Sequence, residues 1–178
     1  ISQVLKSTGV KFDVVGFDAC LMANVETAVA VSPYADYMIA SEETEPGTGW
    51  YYTDWLTTLA KNTSTPTTTL GKEIVDTFIA RSGRNEKTSL SLVDLAEFEA
   101  SVPSALTSFA KTITTAVNSN AYRTIANARS QTKEYAQSNK IDQVDLVHFC
   151  QNVNSKEAQD LITAIKGCVK YNRVYNMT

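Results

Sequence analysis

The sequence predicts an α/β protein with a mostly parallel sheet and a helical part after about residue 100. Three observations carry that expectation. In the first hundred residues, short apolar runs closed by turn residues alternate three times with segments whose apolar residues recur at helical spacing. From residue 97 onward the strand-like runs give way to consecutive helical patterns. Finally, 178 residues with 43% hydrophobic content suit one ordinary domain, large enough to bury a real core.

Element by element, Ile1, Val4 and Leu5 share a helical face that Gly9 ends. "KFDVVGFD" (11–18) reads as a largely buried strand. From Cys20 to Val31 the residues Met22, Val25, Ala28 and Val29 predict a helix, stopped by Ser32-Pro33. A second strand is expected over 35–43, running into "TEPGTGWYYTDW", a loop rich in turn formers and aromatics. Pro66 and the threonines after it open a helix carrying Leu70, Ile74, Val75, Phe78 and Ile79 on one face, closed by Ser82-Gly83. "TSLSLVDL" (88–95) is the third strand, and Asp94 with Glu97 fits a capping box for the next helix. Three further helical segments follow, ending in "SKEAQDLITAIKGCVKY". A boundary near residue 100 gives a sheet-bearing part over 1–100 and a mostly helical subdomain over 101–178.

Bulk chemistry excludes several function classes. A net charge of −3 without a basic stripe does not suit nucleic acid. No apolar run approaches the roughly 20 residues of a membrane span. The chain starts at Ile1 without a visible signal peptide, as expected of a mature form or a processed fragment. Cys20, Cys150 and Cys168 cannot all pair with one another, and neither their spacing nor the single His148 fits a structural metal site. Asn62-Thr63-Ser64 is a formal glycosylation triplet of a kind common by chance.

The junction "FDVVGFDACLMANVETA" (12–28) carries the chemistry. Active groups of open α/β sheets gather at the carboxyl ends of strands. A thiol in the first turn of a helix faces the positive end of the helix dipole, which favours the nucleophilic thiolate. Cys20 is expected there, either as nucleophile or as a buried structural cysteine. Asp18 fits a helix N-cap. It also stands two residues from Cys20 on one face of an extended chain. At about 6 to 7 Å and an effective dielectric of about 20, it would repel a thiolate by roughly 2 kcal/mol. An active site tolerates that opposition if the carboxylate has another task, such as holding a cationic substrate side chain.

Together, "FDVVGFDACLMANVETA", "YADYMIASEETEPGTGWYY" and "SLSLVDL" resemble the clostripain family of bacterial cysteine peptidases, in order from about residue 10 to residue 100 and more weakly to the end. The resemblance implies a caspase-like fold, a mainly parallel sheet flanked by helices with a helical C-terminal part. It implies peptide-bond hydrolysis through a Cys-His dyad, with Cys20 as nucleophile and Asp18 in the pocket for an Arg or Lys preceding the cut. A secreted or cell-envelope location in bacteria is implied too. In the family the histidine precedes the cysteine and internal cleavage separates the two. No His precedes Cys20 here. This chain is then expected to be the heavy chain, with a light chain of the same precursor bringing the histidine.

His148, in "DQVDLVHFCQNV", has the papain-like order of cysteine before histidine, but the sequence around Cys20 lacks the papain context. It is expected to be a packed or surface residue. Glu42, Glu43 and Glu45 precede a Gly-rich turn and read as a solvated loop or as the wall of the substrate pocket, with Glu45 and Trp50 as candidate substrate-binding residues. No cofactor is expected, although the glutamates could hold calcium, which some members of the family need. Gly47 and Gly49 suit turn geometry. Arg81, Arg84 and Lys87 read as a solvated basic turn open to nicking by an Arg-specific peptidase, and Cys150 and Cys168 as structural. A second reading, from another class, is a caspase-like scaffold or binding domain without catalysis; the missing histidine favours it, while Asp18 and Cys20 together favour the peptidase.

Overall fold

A computed structural model describes residues 1–83, 87–119 and 121–177. Its contacts divide the chain into two compact units, Ile1–Ala96 with Val169–Thr178, and Glu97–Cys168.

The first unit is a four-stranded sheet with helices. Helix α1 (Ser2–Thr8) ends at Gly9, whose left-handed backbone (φ 66°) closes it. Strand β1 (Phe12–Gly16) passes through α2 (Val25–Val31) to β2 (Ala35–Ala40). Helices α3 (Tyr52–Lys61) and α4 (Thr67–Arg81) lead to β3 (Thr88–Asp94), and β4 (Val169–Tyr175) returns from the far end of the chain. The order is β1-β2-β3-β4. Buried on nearly every residue, β3 reads as a continuous run of small and apolar side chains. Opposite it, α4 supplies Leu70, Ile74, Val75, Phe78 and Ile79 to a core shared with Ile39, Leu90, Leu92 and Trp50. Each large side chain buried in such a core contributes about 1.5–3 kcal/mol.

The α/β class is as expected, but the sheet is mixed rather than mainly parallel. Only β1 and β2 run parallel, with Val14 beside Tyr37 and Gly16 beside Ile39. The β2–β3 and β3–β4 pairs are antiparallel. One helix between β1 and β2 returns the chain to the end it left. Two helices between β2 and β3 bring it back from the opposite end, so β3 must run the other way. The helix expected through the end of "SKEAQDLITAIKGCVKY" is corrected in its last residues. After α8 (Lys156–Cys168) the chain becomes a strand, with Leu90 facing Arg173 and Leu92 facing Tyr171. The loop expected after β2 also contains a ten-residue helix, α3.

The second unit is helical: most of α5 (Leu95–Val117), then α6 (Tyr122–Ser130), α7 (Leu146–Val153) and α8. Phe109 meets Phe149 edge to face at 5.8 Å, and Ala158, Leu161 and Ile162 are buried. Asp145 caps α7 by accepting from the His148 N–H. Arg129 pairs with Glu134 and Asp142 beside the short bridge between Glu134 and Val144.

Candidate active site

Cys20 lies beyond the carboxyl end of β1 and is exposed, while Cys150 and Cys168 are buried. It is not in a helix. Asn24 is the N-cap of α2, its Oδ1 accepting from the Thr27 N–H at 2.8 Å, so the helix starts five residues after the thiol. The dipole argument for Cys20 and the cap role for Asp18 both fall with that. What holds the 17–24 segment is the neighbouring chain. The N–H groups of Phe17, Leu21 and Ala23 donate to the carbonyls of Ile39, Glu43 and Ser41, tying the turn at 20–21 to the chain that leaves β2. Leu21 takes a left-handed backbone (φ 66°), and its carbonyl accepts from the Asn24 side-chain amide.

This zipper sets Cys20 against Glu45. The Glu45 N–H donates to Sγ at 3.2 Å, and the thiol faces the Glu45 carbonyl at 3.9 Å. Both contacts are to backbone groups of Glu45, so the loop after β2 fixes where the sulfur stands.

Beneath the 41–45 loop runs a polar network. Ser89 Oγ, buried on β3, accepts from the N–H groups of Glu42 and Glu43, both at 3.1 Å. Buried Ser41 donates to the Glu43 carbonyl. Glu42 accepts from Ser91 Oγ, and Glu43, only 6% exposed, accepts from the Thr44 N–H. The expectation of a solvated glutamate loop is therefore corrected, since Glu43 is buried and both side chains brace the loop. Among the described residues, no three His, Cys, Asp or Glu gather in a way that suits a metal ion.

Asp18 is clasped by the segment after this loop. Its two oxygens accept from the Trp50 N–H at 3.1 and 3.2 Å, and Oδ2 accepts from the Tyr52 hydroxyl at 2.9 Å. Gly49 makes the approach possible. Its φ is +63°, and a Cβ there would lie 2.8 Å from Asp18 Oδ2. The Gly49 N–H closes a turn onto the Pro46 carbonyl. Trp50, expected to line the pocket, has its indole in the core at 8% exposure. The ring packs on Gly16, where a Cβ would stand 2.9 Å from it. What Trp50 offers the site is its backbone N–H and Nε1, which donates to Glu45 Oε1 at 3.4 Å.

Glu45 thus faces Asp18. Burial, then a hydrogen bond with Asp18, pushes its carboxyl up to about 8, against the opposing effect of Trp50. Its Oε2 is buried with no hydrogen-bond partner, a position that disfavours the charged form. The Tyr52 phenol is pushed upward by burial and by its bond to Asp18. Residues 18–20 and 45–49 line an open cavity of about 370 Å³ with the thiol at its rim. Asp18, Cys20 and Glu45 therefore converge, with Tyr52 a member that sequence reasoning missed; its place two residues after Trp50 was the available signal.

His148 is in the helical unit and is committed there: Nδ1 accepts from the Lys133 N–H at 3.1 Å. Arg81 ends α4 with its guanidinium 4.1 Å above the Tyr51 ring, and Arg84 lies outside the described residues. Cys168 donates to the Ile165 carbonyl, and burial, with Asp145 adding, pushes the Cys150 thiol up to about 11.

The sequence profile described as the Clostripain family matches residues 1–175. No curated protein matches the sequence. Among solved structures of similar fold is a B. fragilis cysteine protease, with TM-score 0.68 and 16% identity over 97% of this chain and 71% of that one. A clostripain from Bacteroides thetaiotaomicron in complex with the peptide inhibitor BTN-VLTK-AOMK gives 0.60 and 13%, over 97% and 72%. A secreted cysteine protease from the same organism, bound to an irreversible peptide inhibitor, gives 0.70 and 19%, over 98% and 48%. These likenesses establish the caspase-like fold. None of the described helices is long and apolar enough to cross a membrane.

Proposed function

The chain belongs to the clostripain family, and from that premise we propose that it is the nucleophile-bearing heavy chain of a secreted bacterial endopeptidase that cuts after Arg or Lys. The observation that carries this reading is the convergence of the exposed Cys20 thiol and the clasped Asp18 carboxylate on one cavity.

Cys20 Sγ attacks the scissile carbonyl while the basic side chain before the cut reaches Asp18. The thiol proton passes to a histidine, which returns it to the leaving amine, and water then releases the new acid from the thioester. That histidine is assigned to a light chain of the same precursor. The one histidine of this chain, His148, is already engaged through Nδ1. Asp18 offers a preorganised anion to a guanidinium or ammonium, the chemistry that suits charge-assisted bonds. The Lys at the end of the peptide in the B. thetaiotaomicron complex supports a basic preference, and the secreted relative supports an extracellular location.

The test is made on the complete two-chain protein. A biotinylated peptidyl inhibitor ending in Lys should label it on Cys20. Cys20→Ala should abolish both labelling and turnover. Retained turnover in Cys20→Ala would sink the assignment, and an unlabelled, inactive wild type would favour a binding domain of the same fold.

A further inference from the structure

Asp18 and Glu45 hold unequal positions in the cavity. Asp18 receives three donor contacts from Trp50 and Tyr52. Glu45 receives one, from Trp50 Nε1, and its other oxygen is buried without a donor. Glu45, the carboxyl with the fewer donors and a buried bare oxygen, therefore keeps its proton at neutral pH. Resting on the basic specificity proposed above, we infer that Glu45 is a second specificity-determining acid, which releases its proton to water when a guanidinium or ammonium enters beside Asp18.

Geometry supplies the reason. A cation placed against Asp18 in this cavity also faces Glu45, which lines the same space. The hydrogen bond that Glu45 shares with Asp18 competes with the incoming donor for the same carboxylate. Entry of the cation breaks that bond, leaves an ionised Glu45 beside an opposite charge and sends one proton to solvent. The groups facing Glu45 are Asp18 and Cys20 from the loop after β1, and Trp50 and Tyr52 from the segment leading into α3. No cation appears among the influences on its carboxyl.

The sign follows from where the proton sits. Below about pH 8 Glu45 holds a proton that the cation must displace, and above it the proton is already gone. Affinity for a basic side chain should therefore rise with pH and level off above about 8, with a limiting slope of about tenfold per pH unit. A neutral side chain should show no such slope.

The experiment uses the complete protease and benzamidine, which stays cationic throughout, as competitor against a neutral reporter substrate. Benzamide is the uncharged control, so that titration of the thiol or of the catalytic histidine cancels in the ratio. The expected result is a benzamidine-to-benzamide affinity ratio that climbs with pH in wild type. In Glu45→Gln, which can donate to Asp18 but has no proton to release, the ratio should be flat. A flat ratio in wild type, which needs no variant, overturns the proposal, as does an unchanged slope in Glu45→Gln. If benzamidine binding is strong and lost in Asp18→Asn but independent of pH, this inference alone fails. If benzamidine never binds better than benzamide, the basic specificity fails with it.

Discussion

Replacing Asp18 with Asn should collapse the preference for basic substrates. Glu45 keeps its proton at neutral pH, so Asp18 is the carboxyl expected to meet a substrate cation. A carboxylate about 4 Å from a guanidinium gains about 4 kcal/mol at an effective dielectric of about 20. The cavity is open, so solvent screens part of that, and the expected loss is about 2 to 4 kcal/mol. That corresponds to about thirtyfold to about a thousandfold in kcat/KM for an Arg substrate. The structure also predicts a secondary effect. Without Asp18 opposite it, Glu45 loses an influence that holds its carboxyl up, so part of the charge should return as Glu45 ionises. The deficit should therefore be larger at acidic than at alkaline pH. Folding changes little by comparison. Asn keeps one oxygen for Tyr52, but its amide meets the Trp50 N–H that both Asp18 oxygens now accept, a cost of about 1 kcal/mol. The assay is kcat/KM for a matched Arg and Leu substrate pair in both proteins, with Tm recorded for each. An unchanged Arg-to-Leu ratio would refute the reasoning. A parallel fall of both substrates would show Asp18 to be only the clasp of the 49–52 segment.

Gly49→Ala forces a methyl against Asp18 in a left-handed backbone. It should lower Tm by the equivalent of about 1–2 kcal/mol and reduce turnover of Arg substrates more than of Leu substrates, as thermal melts and paired kinetics would show. His148→Ala should leave kcat within a few-fold of wild type in the complete protease. It should also lose about 1–2 kcal/mol of stability by stripping the Lys133 N–H of its acceptor, measured by denaturant unfolding. A loss of several hundredfold in kcat would instead make His148 the base.

The sheet-bearing half was legible where local chemistry decides. Gly9 ends α1, Pro66 opens α4, and β3 is a run of buried residues. Two of the failures share one cause, long-range contact. Met22, Val25, Ala28 and Val29 keep helical spacing, yet residues 17–23 find backbone partners on 39–43 and turn at Leu21, so the helix waits for Asn24. "VKYNRVY" follows α8 with no breaker and becomes a strand because β3 offers it an edge. In "YTDWLTTLAK" Tyr52, Trp55, Leu56 and Leu59 do carry a helical period, hidden by the turn formers just before it.

The site divides along the same line. Asp18 and Cys20 are neighbours in sequence, so their joint meaning could be read from spacing and charge. Their partners could not. The bond from the Glu45 N–H to Cys20 spans 25 positions, and that from the Tyr52 hydroxyl to Asp18 spans 34. Trp50 explains why the two halves of the site move as one. Its indole belongs to the core beneath α4 and against Gly16, its N–H fixes Asp18, and its Nε1 reaches Glu45. A core side chain therefore bonds to both acids, Asp18 through its N–H and Glu45 through its Nε1. The specificity proposed above therefore leans on the packing of the sheet rather than on a surface loop alone, because displacing Asp18 from Glu45 requires moving a buried ring that the core holds in place.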